Sequence, residues 1–307
     1  MTRTLDMRKK RCTRSERIFD LCNAVVMGLI IIACAYPVYY TVIASFSNPN
    51  LVIGGKVYFW IREFTLESYR EVMKYRAVLI GYRNTLLYTS AGTLLNLLFL
   101  IPASYALSKQ EVKGRRMIML FFVFTMYFGG GMIPTYLQYR EFGLINNPWV
   151  LILPDAFSVY NMLITRSYFE SNFSETLAEA ARIDGAGELR IFWQLALPLS
   201  GAIIAVMALF HAVAHWNSYF NALLYIRDTD YYPLQLVMRQ ILMTTQNIGG
   251  DVSMAGTDEL VETARRIRVA QTMKYALVIL ANLPVLVAYP FVQKYFVKGV
   301  MIGTIKG

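Results

Sequence analysis

Charged residues are scarce in this 307-residue chain, where they make up 16% of the total, against about 25% in ordinary soluble domains. Hydrophobic residues make up 56%, above the roughly 45–50% that is usual. Six apolar stretches are long enough to cross a bilayer core, which is about 30 Å thick and requires about 20 apolar residues per helix. The composition therefore predicts an all-α integral membrane protein.

Motifs of enzymes are missing as well. The chain has no Gly-x-x-x-x-Gly-Lys-Ser/Thr phosphate-binding loop, so it is not expected to bind and hydrolyse ATP by itself in the usual way. It also lacks a His-Glu-x-x-His motif, a Gly-x-Ser-x-Gly nucleophile elbow and a dinucleotide fingerprint. We therefore predict no catalytic residue and no cofactor in this chain, and any energy for its activity must come from a partner.

Cysteine and histidine are rare. The three cysteines, at positions 12, 22 and 34, lie in the first apolar stretch and the segment before it, so they do not indicate a disulfide framework. The only histidines, His211 and His215, are four residues apart in an apolar stretch that has no Cys, Asp or Glu to complete a coordination sphere. We therefore predict no metal site.

Basic residues are concentrated beside the apolar stretches and give a net charge of +10. This placement is typical of a membrane protein at its cytoplasmic leaflet, and it disfavours nucleic-acid binding. Residues 1–17 contain seven Lys or Arg against two acids, which predicts a cytoplasmic basic tail by the positive-inside rule. Six spans then place both termini in the cytoplasm, with a single transmembrane domain over 18–293 and a second tail over 294–307. The predicted spans are 18–45, 82–107, 117–136, 148–168, 198–225 and 272–293.

Two predicted spans contain residues that interrupt helices. The third carries Gly129, Gly130 and Gly131 followed by Pro134, and we expect that break to be buried inside the bundle because freed backbone groups need partners in a membrane. The fourth is interrupted around Asp155.

A polar connection over residues 169–194 separates the fourth and fifth spans. Ser174 can cap a helix there, Gly185 suits the left-handed residue that ends it, and a second helix is expected to begin near Glu188. Ala180 and Asp184 lie on one face of the first helix, where small side chains allow another protein to approach closely. These features predict a short cytoplasmic helix between two spans.

The same connection carries a long motif of fixed spacing. Glu179-Ala180-Ala181, three residues, Gly185, nine residues and then Leu195-Ala196-Leu197-Pro198 resemble the "EAA" loop of permease subunits of ATP-binding-cassette (ABC) importers, with Leu195 where Ile is usual. The rest of the chain resembles the maltose-type carbohydrate permeases, particularly the subgroup associated with complex oligosaccharides. The stretches that carry this resemblance are Phe64–Tyr69, Pro102–Ser108, Gly129–Tyr136 and Val297–Gly303.

The resemblance implies a six-helix permease of the type I importer fold, a multi-pass protein of a bacterial plasma (inner) membrane. Its implied partners are a second homologous permease, two ATPase subunits that carry ATP and Mg, and an extracellular solute-binding protein. In that family the loop helix docks into a cleft of the ATPase. The implied coupling residues are Glu179, Ala180, Ala181, Asp184 and Gly185, although an isolated helix with these residues would also fit an ordinary solvated face.

Polar and aromatic residues of the fourth and fifth spans are candidates for a solute pathway, because polar groups within a membrane usually face a bundle interior or a water-filled path. Interhelical hydrogen bonds and aromatic packing are the competing interpretations. The candidates are Asp155, Tyr160, Asn161, His215, Trp216, Asn217, Tyr219 and Asn221.

Two other functions remain open at this point. The coupling loop does not specify cargo, so an importer of a non-sugar solute such as an amino acid or phosphate is an alternative, and only the flanking resemblance favours a carbohydrate. A membrane sensor or scaffold could keep the loop for docking and transport nothing.

Overall fold

The computed structural model of the protein describes residues 14–247, 272–290 and 293, and the regular structure within these ranges is helical. Most of the predicted basic tail, which ends at residue 17, lies outside the described residues. The predicted tail 294–307 and the stretch Val297–Gly303 also lie outside them.

The helices follow one another in a chain of long spans and short connecting elements. The longer ones are α1 (Arg14–Ser45), α4 (Arg76–Ser108), α5 (Arg115–Tyr127), α6 (Met132–Glu141), α7 (Val159–Asn172), α11 (Gly201–Trp216), α13 (Leu234–Asn247) and α14 (Thr272–Pro290). The shorter ones are α2 (Pro49–Ile53), α3 (Glu67–Lys74), α8 (Glu175–Ile183), α9 (Glu188–Ile191), α10 (Leu197–Leu199) and α12 (Phe220–Tyr225). Short 3-10 turns occur at Pro148–Leu151 and Thr229–Tyr231, and a π-helical turn at Phe192–Ala196 joins α9 to α10.

Three helices of the described chain are each long and apolar enough to cross a membrane unaided: most of α1, and all of α4 and α14. They coincide with the predicted first, second and sixth spans. At 1.5 Å per residue, the 33 residues of α4 extend about 50 Å, which exceeds a bilayer core. The helix extends beyond the predicted residues 82–107 mainly at its N-terminal end, where it begins at Arg76.

The predicted third span is a bent pair. Helices α5 and α6 meet at 110° across a break of a few residues, and Gly131 in that break has φ +83°, a conformation that glycine adopts at little steric cost. The predicted interruption is thus confirmed. Its predicted burial is wrong for this chain, because the three consecutive glycines are exposed.

The predicted fourth and fifth spans are also interrupted. Residues 152–158 form irregular backbone before α7, and Ser200 separates two helical segments that meet at 78°. Helix α11 ends at Trp216, so Asn217 and Asn221 do not share a helix with His215, contrary to the prediction of one span over 198–225. The Asn217 N–H still bonds the Val213 carbonyl, which also accepts from the Asn217 side-chain amide. The next N–H, of Ser218, bonds the His215 carbonyl in a tighter turn, and the α-helix ends there.

Helix α4 lies at the centre of the bundle, against α7, α11 and α13. Its C-terminal half packs into a buried cluster with Leu100, Met162, Phe192 and Met207. Its N-terminal half approaches the start of α13 so closely that a Cβ added at Gly81 would lie 3.0 Å from the Leu234 Cα. Small residues at helix contacts permit this close packing in membranes, so α4 organises the fold.

Candidate functional site

Helix α8 is the short helix that the sequence predicted in the connection between the fourth and fifth spans. It begins at Glu175 and ends at Ile183, as expected, although among the described contacts the Ser174 side chain makes no capping hydrogen bond. Gly185 has φ +80°, and its N–H bonds the Arg182 carbonyl at 3.0 Å. This left-handed turn directs the chain into α9.

The surface of α8 divides into a packed side and an open side. Ala178 is fully buried and holds the helix against the bundle. All of the predicted coupling residues except Ala181, which is half-buried, are exposed: Glu179, Ala180, Asp184 and Gly185. The predicted residues therefore lie together on a surface that a partner can reach.

Apolar side chains extend this open surface beyond the predicted residues. Ile183 is 87% exposed and Leu189, just after the turn, is 78% exposed. These two side chains add apolar area to the surface that a partner of α8 could cover. Sequence reasoning missed them because neither lies on the helical face that it singled out, although their position on both sides of Gly185 was the available signal.

A second group of side chains joins the irregular segment 152–158 to three helices. Asn221 donates a hydrogen bond to the Asp155 carboxylate at 3.1 Å, and the Asn96 amide donates to the Asp155 backbone carbonyl. The other end of the Asn96 side chain, Oδ1, lies 2.8 Å from His215 Nε2. Because that oxygen can only accept, the His215 ring carries a hydrogen on Nε2.

His211 makes a similar contact one turn earlier in α11. The Asn161 amide nitrogen lies 3.2 Å from His211 Nε2. The two histidines thus have separate partners. Within residues 14–247, 272–290 and 293, no three His, Cys, Asp or Glu side chains are grouped to hold a metal ion.

The predicted pathway residues divide into an open set and a buried set. Asp155, Tyr160, Asn217 and Tyr219 are exposed and Asn221 is half-buried. His215 and Trp216 are buried, and the Trp216 indole donates to the Ala281 carbonyl of α14 at 2.9 Å. Asn161 is half-buried. The structure therefore brings Asp155 and Asn221 together in the open and uses His215, Trp216 and Asn161 in contacts between helices.

Two residues of α4 that the sequence analysis passed over complete this group. Asn96 is fully buried, and a Cβ added at Gly92 would lie 2.4 Å from His215 Nε2. A glycine and an asparagine four residues apart lie on one face of a helix. That spacing, together with the rarity of asparagine in spanning helices, was the signal that could have identified them.

Comparison with known proteins adds a family match. Residues 77–302 match the family described as "Binding-protein-dependent transport system inner membrane component". The chain is 37% identical to Protein LplC of Bacillus subtilis (strain 168) over 96% of this chain and 97% of that protein. It is 35% identical to the polygalacturonan/rhamnogalacturonan transport system permease protein YtcP of the same organism, over 95% of this chain and 99% of that protein.

A solved structure is also similar along nearly the whole length. It belongs to a bacterial ABC transporter involved in the import of the acidic polysaccharide alginate. The similarity has a TM-score of 0.83 with 32% sequence identity, and covers 92% of this chain and 98% of that chain. The chain is therefore similar to that chain in both its helix arrangement and its sequence.

Proposed function

The chain belongs to the family of inner membrane components of binding-protein-dependent transport systems, and we propose that it is the permease subunit of an ABC importer for an oligosaccharide. The observation that carries this proposal is α8, an exposed helix that ends in a left-handed glycine turn between two membrane segments. Within this family, such a helix is suited to receive the ATPase.

Carbohydrate cargo is supported by the relatives. Besides YtcP, the chain is 26% identical to the melibiose/raffinose/stachyose import permease protein MelC of Bacillus subtilis (strain 168), over 96% of this chain and 98% of that protein. The alginate transporter is a further sugar importer. These relatives import both acidic and neutral sugars, so the cargo proposed here is the broader class of oligosaccharides.

Six membrane segments with both termini in the cytoplasm form the proposed topology. The bent pairs α5–α6 and α9–α11 would each count as one segment, and α7 with the irregular backbone before it as another. Irregular backbone at membrane depth is tolerated where protein or a water-filled cavity surrounds it. The proposed domain covers 18–293, with tails 1–17 and 294–307 and the coupling loop 169–194.

The proposed partners are those that the family and its relatives imply, and the lack of a phosphate-binding loop in the sequence agrees with ATP being bound by another subunit. Two ATPase subunits would bind ATP and Mg, and one of them would dock on Glu179, Ala180, Ala181, Asp184 and Gly185 of this chain. A second, homologous permease would complete the channel, and an extracellular binding protein would deliver the sugar. Nucleotide-driven closure of the ATPases would move α8 and rock the membrane helices between outward and inward openings.

The proposed sugar pathway runs past Asp155 and Asn221. An exposed carboxylate in the membrane part of a protein is costly against lipid and usually faces a water-filled path or another protein. The Asp155–Asn221 pair can accept from and donate to sugar hydroxyls, while the exposed rings of Tyr160 and Tyr219 can stack on the apolar faces of sugar rings. The helices that carry these pathway residues would be held in place by contacts of Asn161, His215 and Trp216. Asn217 would lie at the edge of the pathway.

Uptake of labelled oligosaccharides in cells with the complete transporter tests this function. We expect Glu179→Lys and Gly185→Asp, at matched membrane abundance, to abolish uptake and to prevent copurification of the ATPase. Gly187→Ala is the control, since Gly187 has an ordinary negative φ and no described atom within 4 Å of an added Cβ. Undiminished uptake in both variants would disprove the coupling role, and recruitment of the ATPase without any uptake by the wild type would favour a sensor or scaffold.

A further inference from the structure

The connection between α4 and α5, which we call the α4–α5 loop (residues 109–114), is joined to α8 by two parallel hydrogen bonds. Arg182 Nη1 lies 3.1 Å from Glu111 Oε1, and Nη2 lies 3.1 Å from Oε2. The two residues are 71 positions apart in the sequence. Bidentate pairs of this kind fix orientation as well as distance.

Arg182 also bonds across the turn that follows α8. Its Nε lies 2.8 Å from Glu188 Oε1 at the start of α9, so all three guanidinium nitrogens have carboxylate partners. The hydrogen bond with Glu188, together with the nearby charges of Glu188 and Glu111, raises the pKa of Arg182. One side chain thus links α8, α9 and the α4–α5 loop.

The far side of the α4–α5 loop is attached to α7. Arg115, at the start of α5, lies 3.2 Å from Glu170 Oε1 and also bonds the Ser108 carbonyl at 3.1 Å. Arg166 of α7 lies 2.6 Å from the same Glu170 oxygen and bonds the Leu107 carbonyl at 3.0 Å. The loop and the end of α4 are therefore held from both sides by charged groups.

We propose that Arg182 is a positioning residue that transmits the movement of α8 to the central helix α4 through Glu111, an inference that rests on the proposed ATPase-coupling role of α8. The chain itself joins α8 only to α7 on one side and α9 on the other. Glu111 lies three positions after Ser108, the last residue of α4. Among the described ion pairs, Arg182–Glu111 is the one that joins α8 directly to the segment following the central helix.

The exposure of the pair separates this role from a structural one. Glu111 is 60% exposed, Glu188 55% and Arg182 28%, and ion pairs that remain open to water contribute little to folding stability. Loss of the pair should therefore leave the chain folded and inserted. Its geometry, however, requires the planar fork of arginine, which lysine does not reproduce.

The test uses the complete transporter in proteoliposomes, with oligosaccharide uptake and ATP hydrolysis measured together. We expect Glu111→Gln to lower the sugar imported per ATP hydrolysed about fivefold, the lower end of typical coupling between sites, with normal recruitment of the ATPase. Glu71→Gln is the matched control, because it removes another partly exposed ion pair, with Lys74 of α3 at 2.6 Å. That variant should couple like the wild type.

Charge exchange supplies the rescue. In a Glu188→Gln background, which removes the second carboxylate, Arg182→Glu and Glu111→Arg should each uncouple transport, while the double variant should recover most of it. In the same background, Arg182→Lys should retain less coupling of transport to ATP hydrolysis than the double variant recovers. Equal coupling in Glu111→Gln and wild type, or failure of the exchange to recover coupling, would overturn the proposal.

A distance measurement makes the inference independent of the cargo. With spin labels at Thr176→Cys in α8 and Lys113→Cys in the α4–α5 loop, we expect ATP to leave their separation unchanged when Glu111 is present. The separation should change with ATP in Glu111→Gln, and an unchanged separation there would overturn the proposal. If the wild type imports no oligosaccharide, the proposed cargo fails, while this measurement still decides the role of Arg182.

Discussion

At the scale of single residues, the contact between Gly92 and His215 shows how a small residue makes room for a larger side chain. The His215 ring lies where a side chain on Gly92 would be, and from there it bonds Asn96, which in turn holds the Asp155 carbonyl. The His215 ring thus orients the Asn96 side chain, and Asn96 orients the Asp155 carbonyl. The position of Asp155 depends on a helix that it does not belong to.

We predict that Gly92→Ala weakens this chain of hydrogen bonds. The added methyl group must displace the ring, and overpacking of this kind costs about 1–3 kcal/mol, so thermal stability in detergent should fall and uptake with it. Gly28→Ala in α1 is the control, because no described atom lies within 4 Å of its added Cβ. A Gly92→Ala protein as stable as the Gly28→Ala protein would contradict the prediction.

At the scale of elements, α8 is defined by how it ends. Gly185 and Gly187 lie two residues apart, and a Cβ at either would meet no described atom within 4 Å. Only Gly185 has a left-handed φ, of +80°. Comparison of the two positions therefore separates the effect of backbone conformation from the effect of crowding around an added Cβ.

We predict that Gly185→Ala destabilises the turn by about 1 kcal/mol, because a Cβ is unfavourable in the left-handed region. Fewer transporters should then hold the ATPase, which copurification at matched abundance measures. Gly187→Ala should bind the ATPase like the wild type. Equal binding by both variants would mean that the turn adapts and that its conformation is not required.

At the scale of the whole molecule, much apolar surface faces outward. Helix α1 is exposed along most of its length, and within the described chain neither α5 nor α6 contains a buried residue. In a membrane such surface contacts lipid or a second permease at no hydrophobic cost. The open apolar residues beside α8, in contrast, lie in the polar connection where we propose that the ATPase docks.

These two kinds of exposed surface should respond differently to an added charge. Phe124→Asp places a carboxylate in α5, where insertion at the centre of a span costs about 2.5–3.5 kcal/mol, so its abundance in membranes should fall. Ile183→Asp, at a similarly open apolar position outside the spans, should insert normally and lose the ATPase. Quantitative blotting of membranes checks both, and equal abundance of the two variants would contradict the assignment of α5 to the bilayer.

Local patterns predicted the elements well. Three of the predicted spans coincide with continuous helices, and α8 begins and ends where capping residues and glycine indicated. Apolar runs and left-handed glycines act within a few residues of the chain, so sequence alone is sufficient for them. The interrupted spans were harder to predict, since α11 ends at Trp216 in a tighter turn where the sequence has no proline or glycine to mark the end.

The sequence by itself determined that this protein is a helical membrane protein with a short helix in the polar connection 169–194, because composition and capping signals are properties of the linear chain. Only the tertiary structure decided which distant residues meet. It buried Trp216 against α14, joined Asn96 to His215 and placed Arg182 on Glu111. Such contacts depend on how helices pack, and packing depends on side-chain shape along a whole interface, which no local pattern encodes.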